Sequence, residues 1–557
     1  MSVPQSFRSK TIYQVYPKSF RDSTGNGVGD LRGVLEKVPY IASLGVDMVW
    51  FNPFFVSPQR DNGYDIADYY AIDPKMGTME DFDELASALA AHGIGIMLDM
   101  VLNHTSTEHE WFQRAWDGDL TYRDYYYVRP GGEDGSLPNN WVSKFGGPAW
   151  ARFGDHVDPE TGRPLYYLHL FDVTQADLNW HNPEVRRQMA KVVDYWHAKG
   201  VKGFRFDVIN LIGKPTDLPS APEGTDDRAM YTDGEMVSPW LQELAATSYG
   251  RDPETVTVGE MSSTSIGKCI EYTNPDNRAL SMAFNFHHLK VDYASDRKWT
   301  LAPFDFAALK LLFAEWGQGM EAGGGWNALF WNNHDQPRAL DRFGDPLRYH
   351  AESATMLATA IHLLRGTPFV YQGEEIGMTD PAYTSIDDYV DVEAINAYQE
   401  LLDEGTSPER AFAIVHAKAR DNSRTPMQWS DGSGAGFTSG TPWLKPTNQD
   451  RINVAVEEAG GRILPYYRRL IELRKSHPII AEGTFAPYEP GHPSVMAYLR
   501  RLGEQRLLVV CNFYGEPTSI DIPSQFVGAD VLISNYPHAI AAAEMELAPY
   551  QATALLA

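Results

Sequence analysis

Eight short apolar stretches, at 11–16, 48–52, 94–101, 203–208, 255–260, 280–286, 328–331 and 368–371, alternate along the chain with longer segments of helical periodicity, such as 80–91, 183–199 and 351–364. Continuously apolar strands are expected where both faces of a sheet are buried, and strand–helix alternation brings successive strands in parallel. Eight such units predict an α/β fold, a closed (β/α)8 barrel whose working residues stand at the C-terminal ends of the strands. Two insertions break the rhythm. Residues 105–177, rich in Trp, Tyr, Gly and Pro, predict a small irregular domain after strand three, and 379–450 predicts a helical insertion after strand eight. From about 476 the pattern changes to short strands with turn signals, so an antiparallel β domain is expected over 476–557. The barrel then comprises 1–104 and 178–475.

Bulk properties narrow the chemistry. At 43% hydrophobic and 22% charged the chain reads as globular, and its 557 residues exceed one ordinary core. A formal charge of −27 argues against nucleic acid, which needs clustered Lys and Arg. An anionic small molecule would need a local basic pocket. Two cysteines give no disulfide framework, residues 1–10 lack the apolar run of a secretory leader, and no stretch is long and apolar enough to span a membrane. A cytoplasmic monomer with no membrane partner is the expectation.

Acidic residues collect at the expected strand ends. Asp99 closes strand three, followed by Asn103 and His104; Arg205 and Asp207 close strand four; Glu260 closes strand five; His334 and Asp335 close strand seven; Asp61 and Tyr64 sit in DNGYDI after strand two. One such Asp could be a helix N-cap. Carboxylates converging on one rim repel one another and lose hydration, which a fold tolerates where they serve a site. Glycoside cleavage needs two carboxyls, one to protonate the leaving oxygen and one to attack or activate water. Arg205 shares a strand face with Asp207 and is expected to keep it ionised. Glu260 follows the apolar run VTVG, where desolvation raises a carboxyl.

The segments DMVLNH (99–104), GFRFDVIN (203–210), VGEM (258–261) and NNHDQPR (332–338) resemble, in order and placement, the four signature regions of the α-amylase superfamily, family 13 of the glycoside hydrolases. The resemblance spans nearly the whole chain. It implies Asp207 as nucleophile, Glu260 as acid/base and Asp335 as transition-state stabiliser, with no catalytic cofactor. It also implies a C-terminal β-sandwich, and a glucosyl site built from Asp61, Tyr64, His104, Arg205 and His334 with Phe145 and Phe171 lining it. RDNSRTPMQW (420–429) resembles the oligo-1,6-glucosidase branch, in which one arginine, Arg424 or Arg420, contacts the non-reducing glucose. Alternating Asp22, Thr24, Asn26 and Asp30, with the Val28 carbonyl, could wrap a hard cation; relatives hold a structural Ca2+ at such a loop, and Mg2+ is the alternative.

Three further segments, TVGEMSSTS (257–265), FNFHHLKVDY (284–293) and GGGWNALF (323–330), resemble the phospho-α-glucosidases of this family, which implies trehalose 6-phosphate as the substrate. A sugar phosphate carries nearly two charges and needs local cations in so acidic a protein. Lys290, His287, His288 and Lys298 are the expected phosphate ligands, with Arg338 near. The alternative is an exo-acting α-glucosidase for isomalto- or malto-oligosaccharides or sucrose, in which Lys290 only solvates a loop. A sucrose isomerase ranks lower, since NNHDQPRAL lacks that group's arginine-rich loop, and a non-catalytic transporter heavy chain lower still, since the carboxylates and no anchor are present.

Overall fold

The computed structural model describes residues 6–557; residues 1–5, part of the N-terminal stretch read above, lie outside it. Eight strands form one parallel sheet: β1 (Ile12–Val15), β2 (Met48–Phe51), β3 (Gly95–Met100), β4 (Gly203–Phe206), β5 (Val256–Glu260), β6 (Met282–Phe284), β7 (Ala328–Leu329) and β8 (Thr367–Tyr371). Their spatial order is 6-5-4-3-2-1-8-7. Ile12 stands opposite both Met48 and Phe369, so β1 joins the two arms of the sheet. The remaining gap, between β6 and β7, is closed by one parallel bridge, Ala283 to Asn327, with Ala283 N donating to Trp326 O. The result is a barrel. Its strand residues are almost all buried, which is why the strands read as unbroken apolar runs.

The helices carry their own signals. Pro183–Ala198 begins on Asn182, whose side chain accepts from Glu184 N, with Pro in the first turn. It turns Val185, Met189, Val192, Val193 and Trp196 inward at helical spacing. Met79–Ala91 starts from a capping box between Thr78 and Asp81.

Between β3 and β4 the chain makes a three-stranded antiparallel sheet of Val128–Pro130, Pro164–Leu168 and Trp150–Val157, more regular than the irregular unit expected there. Its neck is a ladder of His104–Ser106 against Gln175–Asp177. After β8 come the helices Val392–Asp403 and Pro408–Lys418 and the short turn Asp421–Arg424. The tail opens on one more helical stretch, Pro478–Glu482, before its first strand. Five antiparallel strands (Thr484–Tyr488, Val495–Leu502, Gln505–Asn512, Ala552–Leu556, Asp530–Ser534) and a two-stranded ribbon (Thr518–Asp521, Glu544–Leu547) then enclose Val495, Leu508, Val510, Ile520, Phe526 and Met545. Among the described residues no helix is long and apolar enough to cross a membrane.

Candidate active site

Strands β3, β4 and β5 pair in register, Asp99 beside Arg205 beside Val258, which brings their C-terminal ends together. Arg205, fully buried, is the hub. One of its nitrogens donates to Asp99 Oδ1 at 2.7 Å and to Asp207 Oδ1 at 2.6 Å, and the other binds Glu260. Trp50 Nε1 and Tyr64 OH donate to the second oxygen of Asp99 at 3.2 and 2.9 Å. Immediately after Asp207 the backbone enters the left-handed region at Val208, φ 36°. A β-branched residue is strained there, and such strain persists where the surroundings enforce it, commonly at functional sites. The turn points Val208 N at Glu260 Oε2, 3.3 Å away.

The electrostatics differ from the sequence expectation in one respect. Burial outweighs the Arg205 charge, so Asp207 is raised to about 7 rather than held in the ordinary carboxylate range. Burial raises Glu260 further, to about 8, with Arg205 opposing. A hydrogen bond between the two carboxyls lowers Asp207 and raises Glu260. The direction of that bond favours Asp207 as the ionised partner and Glu260 as the protonated one. Arg205 bridges the two carboxyls, so they stand side by side at the ends of β4 and β5.

Asp335 lies opposite, on the loop after β7. Arg424 Nη2 donates to its Oδ1 at 2.7 Å, and His334 Nε2 approaches its Oδ2 at 3.0 Å. Gln14 Nε2, which can only donate, faces His334 Nδ1 at 3.0 Å, so the ring proton sits on Nε2, toward Asp335. Burial acts to raise Asp335, yet His334 and the two arginines hold it well below the usual range. Tyr64 stacks on His334 with ring centroids 5.1 Å apart. Arg420 binds Asp391 and reaches Asp61 Oδ1 at 3.0 Å. Gln175 links Asp61, at 3.1 Å, to His104, at 3.2 Å. Phe145 lies under the Arg420 guanidinium and packs edge-on to Phe171.

These residues line one cavity of about 430 Å³ that includes Asp61, Tyr64, His104, Asp207, Glu260 and Asp335. Phe145, Phe171 and Arg420 line it too, whereas Arg424 lies behind Asp335, fully buried. Arg205 and His334 likewise sit behind the wall and hold the groups that form it.

The expected phosphate ligands divide. Lys290 and Lys298 line the cavity. Lys298 is already paired with both oxygens of Glu393, at 2.7 Å. Among the described residues no carboxylate lies within ion-pair reach of Lys290. His287 and His288 are corrections: the short turn His287–Leu289 directs both rings into the protein. His287 contacts Thr264 O at 2.8 Å and stacks on Trp316; His288 contacts Phe330 O at 2.8 Å inside an aromatic cluster. Arg338 is buried as well, bonded to Gln372 O and Ser423 O. Two cations not singled out in the sequence line the same cavity. Lys144, from the inserted domain, touches Ser262 Oγ at 3.2 Å, and Arg228, paired with Asp226, stands nearby in the same wall. Burial, then the charges of Arg228 and Lys290, lower Lys144 to about 8. Burial and Arg228 lower Lys290 as well.

The loop expected to hold a cation closes on its own donors. Asp22 accepts from Thr24 N, Gly25 N, Gly27 N and Thr438 Oγ1. Asp30 accepts from Ser23 and caps the next helix through Gly33 N, and Asn26 accepts from Val28 N. Among the described residues no three acidic or His/Cys side chains converge as a metal cage.

A barrel with paired carboxyls at the ends of β4 and β5 and a third after β7 defines the glycoside hydrolase class. The alpha amylase catalytic domain family matches residues 14–483 and the alpha-amylase SusG C-terminal domain matches 495–553. The chain belongs to the α-amylase family. It is similar to a trehalose-6-phosphate hydrolase of Bacillus subtilis (strain 168), 49% identical over 98% of this chain and 97% of that one. It is also similar to an oligo-1,6-glucosidase of Parageobacillus thermoglucosidasius, 43% identical over 98% of each. The crystal structure of a Bacillus licheniformis trehalose-6-phosphate hydrolase superposes with a TM-score of 0.93 at 47% identity, covering 99% of both chains.

Proposed function

We propose that this protein hydrolyses trehalose 6-phosphate to glucose and glucose 6-phosphate, with retention at the anomeric carbon. The observation that carries the substrate is the cavity wall beside Glu260, where Lys144, Arg228 and Lys290 gather in a protein of net charge −27. Like charges crowded together and partly desolvated oppose folding, and a phosphate ester relieves that cost. Relatives carrying this activity support the reading.

The cavity lining supports one direction of cleavage. Asp61, Arg420, His104, Phe145 and Phe171 enclose one end of the cavity and take the unphosphorylated glucosyl ring. The cations hold the phosphorylated half on the side of Ser262, two residues beyond Glu260, so that half is the leaving group. Asp207 attacks the anomeric carbon while Glu260 protonates the bridging oxygen; water then resolves the glucosyl ester with Glu260 as base. Arg205 orients both carboxyls, Asp335 binds the ring as it flattens, and Arg424 with His334 fixes Asp335. A doubly charged substrate does not cross membranes, which favours a cytoplasmic site of action. The chain acts as a monomer in this reading, and the Asp22–Asp30 loop is at most a weak structural Ca2+ or Mg2+ site.

The test is kcat/KM on trehalose 6-phosphate, trehalose and isomaltose side by side. The phosphorylated sugar should be preferred by roughly ten- to hundredfold, the worth of a charge-assisted contact, and Lys290→Ala should erase most of that margin. Equal or better turnover of isomaltose would establish the oligo-1,6-glucosidase alternative instead.

A further inference from the structure

A cluster of three ions lies buried behind the cavity wall, and none of its members lines the cavity. Asp292, 7% exposed, takes the Arg342 guanidinium as a fork, Nε on Oδ2 at 3.1 Å and Nη2 on Oδ1 at 2.8 Å. Lys418 Nζ closes the other side, 2.7 Å from Oδ2 and 3.2 Å from the Asp292 carbonyl oxygen. Buried ions need partners, and packed apolar side chains would usually stabilise a core as well or better. What sets this cluster apart is what it joins. Asp292 stands two residues past Lys290 on the loop after β6, and Tyr293 N turns back to Lys290 O at 3.0 Å. Arg342 lies on the helix Ala339–Phe343, beyond Asp335, and also donates to Gln336 Oε1 at 3.3 Å and to Leu289 O. Lys418 ends the helix Pro408–Lys418, two residues before Arg420. The loop is therefore held on both sides of Lys290, at Leu289 and at Asp292, by segments that lead from Asp335 and to Arg420.

We propose that Asp292 is a positioning residue that sets substrate preference, clamping the loop so that Lys290 is kept on the cavity wall. The inference rests on the phosphate reading above and names the device behind it. A lysine is a point charge on a flexible four-carbon stem, so a seat built on it is only as definite as the backbone beneath. Released from the cluster, the loop keeps the charge of Lys290 but spreads its position. A contact to a phosphate then weakens, while Asp207 and Glu260 stay where Arg205 holds them. Two cations share one carboxylate, so the cluster carries a surplus positive charge. Removing the Asp292 charge raises that surplus, which by charge alone would strengthen phosphate binding. Position and charge thus act in opposite directions, and one variant separates them.

The experiment compares Asp292→Asn with the native full chain on trehalose 6-phosphate and on p-nitrophenyl α-glucoside. The expected result is a ratio of the two kcat/KM values lowered by about tenfold. The loss should be carried by KM for the phosphorylated sugar, with amides of 287–293 exchanging faster with deuterium. In a Lys290→Gln background the same change should lower the ratio no further. Lys418→Met, which leaves the Arg342–Asp292 pair intact, should move ratio and exchange the same way by less, and it decides the matter if Asp292→Asn does not fold. Equal losses on both substrates would make Asp292 merely structural and overturn the proposal, as would unchanged exchange. A raised ratio would show that the charge of Asp292 matters and not its position, which overturns it too. A native enzyme with no preference for the phosphorylated sugar would overturn the phosphate reading and the preference assigned to Asp292, while faster exchange in the variant would leave its hold on the loop standing.

Discussion

Asp207 and Glu260 share one guanidinium and one proton, and the pH dependence follows from that. Turnover needs Asp207 ionised and Glu260 protonated. With the two raised to about 7 and about 8, kcat/KM should fall below pH 7 as Asp207 takes up a proton and above pH 8 as Glu260 loses its own, leaving a narrow maximum between. A pH–rate profile on an uncharged glucoside checks this without titrating a phosphate. Glu260→Gln should reduce kcat by about 10²–10⁴. It should also alter stability in a definite sense. A carboxyl raised from 4.5 to about 8 favours the fold below its unfolded value and loses that contribution as pH climbs toward 8. Calorimetry should therefore show the glutamine variant gaining on the native protein between pH 5 and pH 8. At this scale the sequence was partly legible. The carboxyls stood at strand ends where alternation predicted them, and Arg205 two residues before Asp207 was readable as its partner. The balance between Arg205 and burial was not, because depth is a property of the closed barrel. Lys144 and Arg228 belong to separate loops whose approach only the fold arranges. His287 and His288 were misjudged because a tight turn rotates both rings inward, and no periodicity marks such a turn.

At the scale of elements, the helix Val392–Asp403 contributes Glu393 to the cavity wall. Its Glu393 meets Lys298 and Arg420, and its Asn396 donates to Phe145 O at 3.0 Å. Gly146, next to Phe145, is left-handed at φ 92°, and a Cβ there would lie 2.0 Å from Glu400 Oε1. Glu400 is exposed and can swing aside, so what holds Gly146 is its left-handed backbone. Gly146→Val should displace Phe145 and lower kcat/KM on every glucoside by up to about a hundredfold, with some fall in melting temperature from the strained backbone; steady-state kinetics beside a thermal melt would show it. The loop around Asp22 makes the opposite point. Alternating oxygens suggested an ion, but the same residue types bond their own backbone equally well. Chelation with EDTA should move the melting temperature by less than about 2 °C, corresponding to under about 2 kcal/mol for a chain of this length; a larger fall would assign a tightly held ion to this loop.

Across the whole molecule the barrel was the most legible feature, because strands buried on both faces leave short apolar runs, here eight of them alternating with helical segments. Register and strand length were less so. The runs at 280–286 and 328–331 narrow to three and two strand residues, β6 and β7, since Gly323–Gly325 precede one and the loops bearing Lys290 and Asp335 must begin early. Those two strands meet at a single bridge, so the barrel has a seam. Resistance to opening is set locally by the contacts that must be broken, and segments with few of them exchange their amide hydrogens ahead of the rest. The seam should therefore be the first part of the barrel to breathe, with amides of 282–304 labelling early in deuterium exchange. Lys290 and Lys298 ride on that segment, whereas Asp207 is anchored on β4, in the firmly laddered half. Mild heating should thus blunt discrimination between phosphorylated and neutral substrates before it slows hydrolysis itself: the enzyme would forget which sugar it prefers before it forgets how to cut one.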